Sequence, residues 1–197
     1  MVIFGITGGS GSGKTSVSKM LEKLGVHIID TDVIAHEIVE PNSDCLNELV
    51  DYFGDSILND DKTLNRKKLA SIAFSDKQKT EALSNITHKY IKAEVVKDIN
   101  TTDAELVGID GAVIIGSNVE PLCEFIVSVI ADKQSRITRI KTRDNTDEQA
   151  IQRINAQNDD EFYKENSMYI IYNNGDIAQL ESDVVGLFNK IKGNSFE

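Results

Sequence analysis

The stretch TGGSGSGKT at residues 7–15 decides the fold. Ahead of it, VIFGIT at 2–7 has the apolar character of a buried strand. Behind it, KTSVSKMLEKL at 14–24 spaces Val17, Met20, Leu21 and Leu24 along one helical face. Between them the pattern is Gly8, four residues, Gly13, Lys14 and Thr15. A strand before and a helix after are the context that a phosphate-binding loop requires. Glycines open backbone conformations closed to other residues and remove side chains that would block an approaching phosphate. The amides of Gly9, Ser10, Gly11, Ser12 and Gly13, with the positive end of the following helix, then face the anion. Lys14 is placed to reach β- and γ-phosphates, and Thr15 to offer its hydroxyl to Mg2+. A turn that merely joins strand to helix leaves lysine and threonine at these positions unexplained. The loop alone points to a nucleoside triphosphate and leaves the chemistry open.

Gly25 ends the helix, and the apolar run VHII at 26–29 is closed by Asp30 and Asp32. Strand, loop, helix and strand open an α/β fold with a parallel sheet. LVGID at 106–110, FIVSVIA at 125–131 and MYIIY at 168–172 read as further strands. The roughly 75 residues between the second and third strands read mostly helical, and so large an insertion is a subdomain rather than a loop. Within it, VIAHEIV is a short segment ending near Pro41, while CLNELVDYF and RKKLASIAF have helical spacing. One long helix fits Lys77 to Asn100, burying Leu83, Ile86, Tyr90, Ile91 and Val95. A helical pair, about 133–143 and 146–157, follows the fourth strand, and a last helix runs from about Asp176 to Ile191. The expected fold class is α/β: a P-loop nucleoside-triphosphate fold with a mostly parallel sheet flanked by helices. Its core covers about 1–34, 104–131 and 167–197. A helical subdomain occupies about 35–103 and a small helical lid about 132–166.

The 197 residues suffice for one good-sized core, and 40% hydrophobic with 27% charged content is that of a soluble globular protein. No apolar stretch approaches a membrane span, and no basic region precedes a secretory core. A cytoplasmic protein is the plain expectation. Cys45 and Cys123 are too scattered for a metal site or a disulfide framework, and His27, His36 and His88 lack metal-ligand spacing. The formal charge of −11, from 32 Asp and Glu against 21 Lys and Arg, argues against a nucleic-acid surface. Residues 132–153 are locally positive.

Asp30 and Asp32, two apart, face the same way if the chain is extended. They close the second strand at the sheet edge where open α/β sheets bind ligands. A carboxylate there can orient and deprotonate an acceptor hydroxyl, or bind water on Mg2+. A turn aspartate and a helix N-cap explain the same positions. Asp110, ending the third strand, is a second candidate for the metal through water. Arg136, Arg139 and Arg143 fall at i, i+3 and i+7 on one helix face. For Arg136 a solvated surface position is preferred. For Arg139 and Arg143 a clamp on polyphosphate is preferred, with Gln149, Arg153, Asn155 and Gln157 forming the lid's other half. A lid would keep water from hydrolysing the γ-phosphoryl group.

Taken together, the sequence resembles the dephospho-coenzyme A kinase family nearly end to end. The matching stretches are TGGSGSGKT at 7–15, IIDTDVIAHEIVEP at 28–41, LNRKKLASIAF at 64–74 and ITHKYI at 86–91. IADKQSRITRIKTRD at 130–144 and IIYNNG at 170–175 complete them. The resemblance implies ATP as donor, Mg2+, and a helical subdomain that binds the small-molecule acceptor, dephospho-coenzyme A. It implies no nucleic-acid, membrane or protein partner. It makes Asp32 the base for the ribose 3′-hydroxyl, Lys14 and Arg139 the other catalytic groups, and Gly13, Lys14 and Thr15 the phosphate and magnesium site. Arg143 and Asn173 join the nucleotide site, and Asp32, His36, Arg66 and His88 the acceptor site. His88 also reads as a hydrogen-bonded core histidine.

The chain departs from the family pattern at several positions. His36 stands where arginine is common, Arg136 where glutamine is usual, and His88 is followed by lysine rather than proline. Gly116 stands where bacterial members carry a glutamate, leaving Asp110 or Glu120 as substitutes. Two alternatives remain: another nucleotide or small-metabolite kinase, and a nucleotide-dependent switch. NNGD at 173–176 lacks the base-recognition pattern of guanine-nucleotide switches. The length leaves room for the kinase alone.

Overall fold

A computed structural model describes residues 1–144, 152 and 154–194. The strands are β1 (Val2–Thr7), β2 (His27–Asp30), β3 (Leu106–Asp110), β4 (Phe125–Ile130) and β5 (Tyr169–Tyr172). They form one parallel sheet in the order β2-β3-β1-β4-β5. β1 is therefore central, and the chain turns to opposite sides of it. That is where an open parallel sheet leaves a crevice at its carboxyl edge. Register brings Asp30 beside Asp110 and Thr7 beside Ser128 at that edge.

The sheet forms because its middle strands are mostly apolar, as burial on both faces demands; every residue of β3 is buried. Helix α1 (Lys14–Lys23) and the C-terminal helix, labelled α8 (Ile177–Asn194), close over one side. Val17 and Leu21 of α1 and Leu180, Val184, Leu187 and Ile191 of α8 share a core with Phe4, Ile6, Val127 and Ile171. Met20 and Leu24 are partly buried against it, as the helical spacing predicts. Phe4 stacks on Phe125 at 5.4 Å, and Tyr169 meets Phe125 edge-on at 5.3 Å. Helices α6 (Lys133–Asp144) and α7 (Asp160–Glu165) follow β4. The expected helix at 146–157 falls largely, with Gln149 and Arg153, outside the described residues.

The chain divides into two compact units, Met1–Asp30 with Thr102–Glu197, and Thr31–Thr101. The second unit is helical: α2 (Thr31–Glu37), α3 (Asp44–Phe53), α4 (Arg66–Ala73) and α5 (Lys77–Thr101). The Ser43 hydroxyl accepts from the Leu46 amide at 3.2 Å and caps α3; Asn65 caps α4 through the Lys68 amide at 3.0 Å. On α5 Ile86 and Val95 are buried, while Leu83, Tyr90 and Ile91 are half-buried. Among the described residues no helix is long and apolar enough to cross a membrane.

One local expectation fails. The extended chain through Asp30 and Asp32 does not exist, because β2 ends at Asp30 and α2 begins at Thr31. Asp32 is instead an exposed residue of the helix's first turn, where a carboxylate is favoured by the helix dipole. It is not the N-cap, since Thr31 already belongs to the helix.

Both cysteines are held as thiols. Burial, with Glu48 nearby, pushes Cys45 up to about 11, and burial, with Glu120, pushes Cys123 up to about 12. The thiolate is the reactive species, so at pH 8 about one part in 10³ or less is available. Native protein should therefore react with iodoacetamide far more slowly than denatured protein, with rates rising about tenfold per pH unit. Equal rates in the two states would contradict this protection.

Candidate functional site

β1 delivers the glycine loop to the sheet's carboxyl edge. The loop folds back on itself through the Ser12 amide, which donates to the Gly9 carbonyl at 3.0 Å. Gly13, at φ 98° and ψ 17°, takes the left-handed conformation that starts α1. Its carbonyl accepts the Ser16 and Val17 amides at 2.9 and 3.2 Å. Lys14 and Thr15 follow as the first helical residues, whose amides have no intrahelical acceptor. The buried Ser12 Oγ has no hydrogen-bond partner among the described residues. An unpaired buried hydroxyl inside a glycine cradle, beside a helix N-terminus, fits an anion carrying several acceptor oxygens.

Lys14 Nζ pairs with Asp110 Oδ1, and Ser18 donates its hydroxyl to Asp110 Oδ2 at 2.7 Å. Asp110 is 3% exposed, so this carboxylate has exchanged water for a cation and a hydroxyl. The helix that carries Lys14 also supplies Ser18, one turn later. That spacing puts both on the face toward β3.

Helix α6 brings Arg136 and Arg139 to the back of the loop. Arg139 Nη1 donates to the Gly11 and Ser12 carbonyls at 3.3 and 3.2 Å. Its Nη2 donates to the carbonyl and Oδ1 of Asn173 at 2.9 and 3.3 Å. Asn173, directly after β5 and buried, donates from Nδ2 to the Ser12 carbonyl at 2.8 Å. A Cβ on residue 13 would collide with that amide nitrogen, a second reason for glycine there. Arg143 lies on the same helix, with its side chain outside the described residues.

Arg136 overturns its expected place on a solvated face: it is 6% exposed. Its Nε donates to the Ser10 carbonyl at 2.9 Å, and its Nη2 to Gln157 Oε1 at 2.9 Å. Gln157 Oε1 also accepts the Ser10 amide at 2.8 Å, and Gln157 Nε2 donates to Ser10 Oγ at 3.0 Å. A signal for this was present in the sequence. The Gly8, Gly13, Lys14, Thr15 pattern does not require glycine at 9 or 11, and surplus glycines mark close approach by another group.

Thus the first unit assembles Gly9–Thr15, Asp110, Arg139 and Asn173. Of the two carboxylates weighed against Gly116, Asp110 is committed to Lys14. Glu120 accepts the Gly116 amide itself at 2.6 Å. In the second unit, Asp32 and His36 are both on α2, where His36 Nδ1 lies 2.7 Å from the Asp32 carbonyl. Arg66, first residue of α4, and half-buried His88 line a groove of about 320 Å³. Its other walls are mainly apolar, among them Ile38, Leu49, Leu69 and Ile91.

A family model described as dephospho-CoA kinase matches residues 2–179. A dephospho-CoA kinase from Lactobacillus johnsonii is 34% identical over 191 residues, covering 95% of this chain and 96% of that relative. Another, from Listeria monocytogenes, is 34% identical over 194 residues, covering 96% and 97%. Among solved structures, a Thermus thermophilus protein superposes with a TM-score of 0.84 at 25% identity, covering 96% of this chain and 97% of that one. The dephospho-CoA kinase from Campylobacter jejuni does so with a TM-score of 0.69 at 26% identity, covering 98% of each. A shikimate kinase from Acinetobacter baumannii, at 18% identity and a TM-score of 0.57, shares the fold alone. With its glycine loop, parallel sheet and end-to-end relatives, this chain belongs to the dephospho-CoA kinase family of P-loop kinases.

Proposed function

We propose that the chain transfers the γ-phosphoryl group of ATP to the ribose 3′-hydroxyl of dephospho-coenzyme A, giving coenzyme A and ADP. The observation that carries the donor half is the loop: a left-handed Gly13, an unpaired Ser12 hydroxyl and Lys14 at the start of α1. Family membership supports the acceptor half. In this reading the 3′-oxygen forms its bond to the γ-phosphorus as the β–γ bridging oxygen leaves with ADP. Asp32 accepts the hydroxyl proton. Lys14 exchanges Asp110 for phosphate oxygens, and Arg139 offsets charge developing on the transferred group.

The residues present fit magnesium as kinases commonly hold it, through few protein oxygens plus substrate phosphates. Thr15 would supply a hydroxyl from the exposed first turn of α1, and Asp110 a carboxylate through water. Bound there, the metal supplies electrostatic neutralisation of the phosphates. His36, Arg66 and His88 are assigned to the acceptor, with the groove beside Arg66 and His88 suited to its less polar parts.

A panel of acceptors read by coupled ADP release tests the proposal without assuming any residue's role. Dephospho-coenzyme A should stimulate ADP formation well above every nucleoside monophosphate and above the no-acceptor rate. Preference for a nucleoside monophosphate would make the chain another nucleotide kinase. Slow ATP loss without stimulation by any acceptor would favour a nucleotide-dependent switch.

A further inference from the structure

Every polar atom of Ser10 is engaged from outside the loop. Its carbonyl accepts from Arg136 Nε, its amide donates to Gln157 Oε1, and its hydroxyl accepts from Gln157 Nε2. The bond from Arg136 Nη2 to Gln157 Oε1 ties the two clamping side chains together. Nε and Nη2 lie on one edge of the guanidinium, so the fork fixes the carbonyl and the glutamine side by side. A lysine ammonium has the charge but no such edge. Asp160 Oδ1, 4.0 Å from Arg136 Nη1, supplies an opposite charge to a guanidinium that has lost most of its water.

The same arginine accounts for the two surplus glycines. A Cβ on residue 9 would lie 2.7 Å from Arg136 Cζ, and one on residue 11 would lie 2.6 Å from the Arg136 carbonyl oxygen. Gly11 is also left-handed, at φ 78°. Arg136 therefore covers both flanks of Ser10, with its side chain on one and its backbone on the other.

We infer that Arg136 is a positioning residue for the nucleotide: acting through Ser10 and Gln157, it holds the tip of the phosphate loop in its binding conformation before the anion arrives. This rests on the reading of the loop as an ATP site. Glycines leave a loop many conformations to lose on binding, and holding one of them in advance removes that cost from nucleotide affinity. Arg136 sits on α6, and Gln157 comes 21 residues later in the chain. The clamp thus joins two separate stretches of chain to the loop.

The test measures ADP binding by titration calorimetry and, without nucleotide, hydrogen exchange of a peptide spanning residues 8–13. Wild type, R136A, R136K and Q157A are compared, each checked for folding by its thermal transition. R136A and R136K should bind ADP about tenfold more weakly and exchange the loop amides faster. Steady-state assays should show a raised ATP KM, with kcat at saturation and acceptor KM near wild type. Q157A, altering a half-buried side chain, should shift both readouts the same way and keeps the test open if the Arg136 variants do not fold. Wild-type affinity and wild-type loop exchange in a folded R136A or Q157A would overturn the inference. So would full recovery in R136K. Failure of wild type itself to bind ADP would instead refute the ATP reading, and the exchange measurement would still judge the clamp.

Discussion

Lys14→Ala is expected to lower kcat/KM for ATP by about 10³-fold, the scale seen when one preorganised donor to a developing oxyanion is removed. The structure adds a second effect to that loss. The Lys14 side chain is 14% exposed and Asp110 is buried, so deleting the ammonium removes the cation paired with a desolvated carboxylate. Breaking a buried ion pair by removing one partner destabilises by about 3–5 kcal/mol. Melting temperature and turnover should therefore both fall in K14A, for different reasons. The double variant K14A/D110N separates them, because a neutral amide in place of Asp110 relieves the desolvated charge. Thermal stability should recover in large part while turnover stays low. Wild-type turnover with an unchanged ATP KM in K14A would remove Lys14 from the phosphate site.

Asp32→Asn should cut kcat by about 10²–10⁴-fold, the range for a positioned general base. ADP affinity and the folding transition should change little. Asparagine keeps the shape of the side chain, and Asp32 lies exposed on the first turn of α2, outside the buried core. The contrast with Lys14 is diagnostic: one variant loses nucleotide use and stability, the other loses turnover at saturating substrates. A D32N enzyme with near wild-type kcat would end the assignment of the base.

The sheet was legible because each strand carries its own apolar run between clear breaks. VIFGIT and LVGID became β1 and β3 at the expected residues, and the helical spacing after Lys77 became α5. The end of β2 was less legible. Asp-Thr-Asp after Ile29 suits a strand end, a turn and a helix start equally, and local pattern does not choose among them. Arg136 misled for a related reason. Its spacing with Arg139 correctly placed both on one helix face, but periodicity does not say whether a charged face meets solvent or the backbone of a loop more than a hundred residues earlier. Such contacts leave their trace in the partner, here as glycines at 9 and 11 that the phosphate pattern does not require. Arg139 shows how one side chain can serve two sets of partners. It is assigned to the polyphosphate in the proposed reaction, and in the described contacts it binds the carbonyl side of the loop.

The position of β1 at the middle of the sheet has a consequence for how the molecule comes into being. β1 and β2 are made before β3, yet they are not neighbours; β3 lies between them and pairs with both. Val2 must wait for Leu106, and Phe4 for Phe125, before the central strand has native partners on its two sides. Closing so long a stretch of chain is slow, and an early apolar strand without partners is exposed to mispairing during synthesis. The glycine loop also waits for Gln157 and Asn173 to be added. The glycine loop is thus made well before the residues that give it its final shape.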